Sequence, residues 1–182
     1  MSNSALLVMD IQRSIVERFP SDPDYLTTLR GAIDTARSAG VPVIYVVVGF
    51  RAGHPEVSKR NKSFGARVGS DAFVPGDPGA EVFPDVAPRP GDTVVTKRRV
   101  SAFAGSDLDM VLRAGDIDTL VLTGIATSGV VLSTVRQAAD LDYRITVLAD
   151  GCLDGDPEVH RVLTEKVFPR QADVISVADW RP

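Results

Sequence analysis

The chain has 182 residues, of which 44% are hydrophobic and 24% charged, and a formal net charge of −4. That length suits one domain, residues 1–182, with a sizeable core, and the mild acidity argues against the basic face that nucleic-acid binding needs. No apolar run reaches the roughly 18 residues of a membrane-spanning helix, and the lone cysteine, Cys152, excludes an intrachain disulfide.

The opening segment "MSNSALLVMD" has no positively charged leader and no cleavage signature, so a reducing cytoplasm is the expected location. Its apolar part, 5–11, is the first of six short β-branched or aliphatic runs. The others are 41–50, 92–97, 118–125, 143–150 and 172–177. Runs that are apolar along their whole length read as strands buried on both faces, as in parallel sheets.

Helical patterns fall between most of these runs. Asp22-Pro23 supplies an N-cap and an N1 proline, Leu26, Leu29 and Ile33 form the apolar face, and Gly40 closes the helix. Ser106 caps a second helix that ends near Gly115. Thr127 or Ser128 caps a third, with Val131, Thr134, Val135 and Ala138 on one face. Asp156-Pro157 opens a fourth. The alternation predicts an α/β fold: a three-layer α/β/α sandwich around a mostly parallel six-stranded sheet. Residues 51–91 break the rhythm with Gly, Pro and charge. A connection of about forty residues is long enough to be a lid or an interface segment, or a divergent surface excursion.

In an open parallel sheet, ligands bind beyond the carboxyl ends of the strands. The first strand ends in Asp10, followed by Gln12; the third ends in Lys97; the fourth runs into Gly124-Ile125-Ala126-Thr127. Asp10 and Lys97 are 87 positions apart but are predicted to meet at one rim. There they form either a proton-sharing catalytic pair or a structural ion pair. The turn after the fourth strand offers unpaired backbone N–H groups to a polarised oxygen, with Gly129 allowing close approach.

The segments "ALLVMDIQ", "VVTKRRVSAFAGSDLDMVL" and "LVLTGIATSGVVLSTVRQAADLDYRITVLADGC", in this order, resemble the isochorismatase-like, or cysteine hydrolase, superfamily. The stretch "DPEVHRVLTEKVFPRQADVISV" matches it more loosely. The resemblance implies the isochorismatase-like hydrolase fold, a catalytic set with Asp10 and Lys97, a cis peptide at Ile125-Ala126 and a homo-oligomer. It also implies a cysteine three positions after Thr127, where this chain has Val130.

Without a thiol at position 130, the expected chemistry is hydrolysis of a small organic substrate by acid and water, with no covalent thioester. Asp10 would be the general acid, as in family members that cleave the vinyl ether of isochorismate. Lys97 would bind a substrate carboxylate or orient Asp10, and the N–H groups of Ala126 and Val130 would hold an oxygen. Gln12, Phe103, Thr127 and Gly129 are the expected substrate-binding residues. A catalytically silent binding or assembly module is the alternative, and an amide hydrolase using Cys152, on the loop after the fifth strand, is a weaker one. No cofactor is expected. Nicotinamidase-like members hold a metal through an Asp and two His, whereas this region offers His54 and Glu56, with Asp71 and Asp77 further on. No metal is therefore expected, and His160 is taken as a surface or packing residue.

Overall fold

Each of the six apolar runs forms a strand, and all six join one sheet. The computed structural model describes residues 3–19 and 24–182. The strands are β1 (Ser4–Met9), β2 (Val43–Val48), β3 (Thr93–Lys97), β4 (Thr119–Ile125), β5 (Arg144–Leu153) and β6 (Asp173–Ile175). They lie in the order β3-β2-β1-β4-β5-β6, and every pair is parallel. Period-two alternation divides the core into two layers. Ala5, Leu7 and Met9 face Leu112, Val135 and Ala138 on one side. Leu6 and Val8 face Leu29, Ile33 and Ala36 on the other. The result is the three-layer sandwich expected from the sequence. The strand order reverses between β1 and β4, and such a switch point opens a crevice at the carboxyl edge.

The helices are α1 (Arg13–Val16), α2 (Tyr25–Ser38), α3 (Leu108–Ala114), α4 (Leu132–Asp140) and α5 (Pro157–Val162). The expected Asp22-Pro23 cap lies outside the described residues. At the other end of α2, Gly40 takes a left-handed φ of 71° and Val41 N–H bonds back to Ala36 O, so the helix closes where expected. Asp156 caps α5 by accepting from Glu158 and Val159 N–H. The third helix differs. Thr127–Val131 is a π-helical turn whose N-cap is Ala126, with no side-chain cap, so neither Thr127 nor Ser128 caps it.

Two further segments depart from expectation. β5 runs on to Leu153, and its register jumps: Val147 lies opposite Leu122, but Cys152 lies opposite Gly124. Cys152 is therefore inside a strand rather than on a loop, because the extra residues between these pairs bulge and the chain then rejoins the ladder. Residues 51–91 contain three short 3₁₀ turns, Gly65–Arg67, Pro78–Ala80 and Pro84–Val86. Phe50, Val57 and Phe73 bury together against Val48 as a small separate core. The segment is tied to the end of β1 by a Gln12–Val82 bridge and by bonds from Arg13 N–H to Glu81 O and Phe83 N–H to Ile11 O.

Candidate active site

β1 ends at Met9, and the next residue turns. Asp10 has φ 58°, a left-handed conformation that Asp tolerates better than most residues. Its N–H bonds to Val46 O at 2.8 Å, and the carboxyl stands at the carboxyl edge of the sheet. Two strands away, Lys97 closes β3. Its Nζ lies 2.9 Å from Asp10 Oδ2 and donates to Arg99 O at 2.9 Å. Lys97 is 1% exposed and Asp10 7%. The two residues expected to meet therefore do meet.

The pair is asymmetric. Asp10 Oδ2 is held by the ammonium, while Oδ1 is buried with no hydrogen-bond partner among the described residues. Burial raises the pKa of this carboxyl, and the Lys97 charge and hydrogen bond, with a smaller pull from the Val48 N–H, draw it back; burial wins, leaving it at about 6. A carboxyl so placed can carry a proton near neutrality and release it from a buried position.

On the other side of Asp10 is the turn that follows β4. Met9 pairs with Gly124, so Asp10 and the Ile125-Ala126 peptide are successive steps past one register point. Gly124 is required there. Its φ is 144°, and a Cβ would collide with Met9 O. The Ile125-Ala126 bond is cis, as the resemblance implies. Ala126 O accepts from Gly129 and Val131 N–H, which closes the turn on itself. Gly129 is non-helical, with φ −98° and ψ −105°. Ser128 N–H bonds to Asp154 Oδ2 at 2.7 Å. The Val130 side chain is buried in the core beside α4, so it adds no polar group beside Asp10.

Several expected substrate contacts are spent elsewhere. The Gln12 amide, fully buried, accepts from Val48 N–H and donates to Val48 O and Ala80 O. It clips the 51–91 segment to β2, and both of its N–H donors are used in doing so. Phe103 packs against Tyr143, with ring centroids 6.0 Å apart, where β5 begins. The loop before it is held along α4 by bonds from Ala102 N–H to Thr134 and from the Ser101 hydroxyl to Gln137. The Thr127 hydroxyl is buried and lies 2.8 Å from His160 Nδ1. His160 is therefore a specific partner of the turn, more than the packing residue the sequence suggested.

The metal donors of nicotinamidase-like members have no counterpart set here. His54 Nε2 bonds to Ala72 O and its ring lies against Phe50, while the Glu56 carboxylate pairs with Arg51 and Arg98. Among the described residues no group of three His, Cys, Asp or Glu is placed to hold a metal. The residues do not fit such a centre. Cys152 is buried, its Sγ lies 3.9 Å from Leu122 O, and burial pushes its thiol up to about 12. A cavity of about 500 Å³ lies elsewhere, at the amino-terminal edge among Ser4, Thr119, Asp173 and Trp180. It contains no acid–base pair like Asp10–Lys97, so chemistry rather than volume selects the candidate site.

An all-parallel sheet with an acid and an amine buried at its switch point has the architecture of the isochorismatase-like hydrolases. The Isochorismatase domain family matches residues 4–179, and the chain belongs to that family. It is 34% identical over 167 residues to the isochorismatase family protein YwoC of Bacillus subtilis, covering 92% of this chain and 86% of YwoC. It is 32% identical over 179 residues to the ureidoacrylate amidohydrolase RutB of Stutzerimonas stutzeri, covering 86% and 72%. A solved cysteine hydrolase from Pseudomonas syringae pv. phaseolicola superposes with a TM-score of 0.89 at 25% identity, covering 97% of this chain and 90% of that one. Among the described residues no helix is long and apolar enough to cross a membrane.

Proposed function

We propose that the protein is a single-domain cytoplasmic hydrolase that acts on a small organic substrate by acid and water chemistry, without a covalent thioester. Asp10, protonated, is the general acid. Lys97 holds its second oxygen or a substrate carboxylate, and the backbone N–H groups of Ala126 and Val130 steady a substrate oxygen. For a vinyl ether the balance is simple. The Asp10 proton adds to the enol carbon, water adds to the resulting cation and returns a proton to the Asp10 carboxylate, and the hemiketal releases an alcohol and a ketone. The observation that carries the reading is the Asp10 carboxyl, with one oxygen on Lys97, the other without a protein partner, and its pKa raised by burial to about 6. Val130, where the resemblance implies a cysteine, is what separates this route from the amide hydrolysis that the name of RutB describes. The assembly proposed is a homo-oligomer.

The Val130 side chain also favours a second reading, a binding module that retains the acid and lysine but turns nothing over. Thiol catalysis by Cys152 is disfavoured by its burial and raised pKa. Isochorismate and a panel of small amides, assayed with wild type, Asp10→Asn and Cys152→Ser, separate the three. Turnover lost in Asp10→Asn and kept in Cys152→Ser supports the proposal. Loss in Cys152→Ser supports the thiol route. No turnover with tight metabolite binding supports the module.

A further inference from the structure

The turn between β4 and α4 is braced from outside as well as by its own backbone. Its first residue, Thr127, is fully buried, so its hydroxyl needs a partner within the protein. That partner is His160 Nδ1, 2.8 Å away and 33 positions along the chain. The histidine is half-buried on α5, and the chain just beyond it widens into a second π-helical turn, Leu163–Val167. There Thr164 Oγ1 donates to His160 O at 2.9 Å and also reaches Arg161 O at 3.3 Å, so the backbone carrying the imidazole is pinned as well. Asp154, at the foot of the same connection, fixes Ser128 N–H. Two consecutive residues of the turn are thus held by side chains from α5 and from the link that precedes it. Wide helical turns of this kind cost regular hydrogen bonding and recur at functional sites.

We infer that His160 is a positioning residue: acting through the Thr127 hydroxyl, it fixes the backbone of residues 128–131 and with it the direction of the Val130 N–H at the candidate active site. The inference rests on the proposed use of the Val130 N–H, and it goes beyond that proposal by naming the residue outside the turn that sets its geometry. An isolated turn containing Gly129 would have more freedom than a site of backbone donors tolerates, because small displacements of such donors are costly to catalysis. The exposed face of α5 serves a different purpose, since Arg161 pairs with Glu158 and Glu165 there.

Amide hydrogen exchange reads the turn directly. Thr127→Val and His160→Leu are each expected to speed exchange at residues 128–131 about tenfold while leaving Val135 and Ala138 of α4 unchanged. The double variant is expected to do no more than either single one, because both remove one interaction. His160→Asn, which keeps a polar atom near the Nδ1 position, is expected to restore most of the protection, and Arg161→Ala to leave these amides as they are. On a substrate that the wild type turns over, Thr127→Val is expected to lower kcat by roughly 10–100-fold with KM nearly constant. Unchanged exchange at 128–131 overturns the inference. So does faster exchange spread equally over α4, which would mean a merely structural role, and so does an unchanged kcat in an active enzyme. If the wild type hydrolyses nothing but the local exchange pattern appears, the hydrolase reading fails and the bracing role stands.

Discussion

Replacing Lys97 by methionine keeps most of the side chain's volume and removes the charge that restrains Asp10. The ammonium lies 2.9 Å from the carboxylate, and both groups are buried. The carboxyl titrates at about 6 because burial outweighs that cation. An adjacent cation lowers a carboxyl by about one to three pH units, so its removal should move Asp10 to roughly 7–9. Stability should follow. A carboxyl with a folded-state pKa above its unfolded value of 3.8 contributes stability that is complete below about pH 4. That contribution is lost as pH rises through the folded-state pKa. In Lys97→Met the loss should continue to higher pH, and at pH 8.5 the variant should be less stable by about 3–5 kcal/mol, the usual cost of breaking a buried pair. At pH 5, where Asp10 is largely neutral in both proteins, the penalty should be clearly smaller. Carboxyl carbon NMR titration of Asp10 and urea unfolding at the two pH values make the measurement. An Asp10 midpoint at or below 6 in the variant, or one penalty at both pH values, would refute burial as the controlling effect.

In an active enzyme that uses Asp10 as an acid, kcat/KM should fall as pH rises through about 6, measured as a pH–rate profile. Native Cys152 should resist iodoacetamide at pH 8, since a thiol at about 12 is ionised there only on the order of 1 part in 10⁴; mass spectrometry with and without denaturant reads this directly. Gln12→Leu should destabilise by about 3 kcal/mol in urea, because it strands Val48 N–H, Val48 O and Ala80 O; a loss under about 1 kcal/mol would show that the clip carries little. Gly124→Ala should yield little folded protein by circular dichroism and thermal melting, since its Cβ would collide with Met9 O.

The strands and helix faces were legible because burial on both sides of a parallel sheet writes itself as unbroken apolar runs. Asp10 and Lys97 were legible for a related reason: each is the polar residue at which such a run ends, and parallel strands all end at one edge. The roles of Gln12, Phe103 and His160 were hidden because they depend on pairings far apart in sequence. Gln12 reads as a polar neighbour of Asp10 until Ala80 closes over it. Phe103 reads as a substrate-binding residue, and nothing in the sequence announces its packing against Tyr143. His160 did leave a trace, being near the start of the helix after β5 and therefore at the same edge as Thr127. The small core around Phe50, Val57 and Phe73 left none, because its members share no periodicity.

The left-handed backbone at Asp10 bears on how any replacement there should be interpreted. Asn and Gly enter that conformation readily, whereas Ala and Leu enter it at a cost. Asp10→Asn therefore isolates the chemistry of the carboxyl, while Asp10→Ala changes the carboxyl and the bend of the chain together. A greater loss with alanine than with asparagine would measure conformational strain, not acid catalysis. The same constraint channels inheritance: a descendant that no longer needed the carboxylate would find asparagine or glycine the accessible exits at this position.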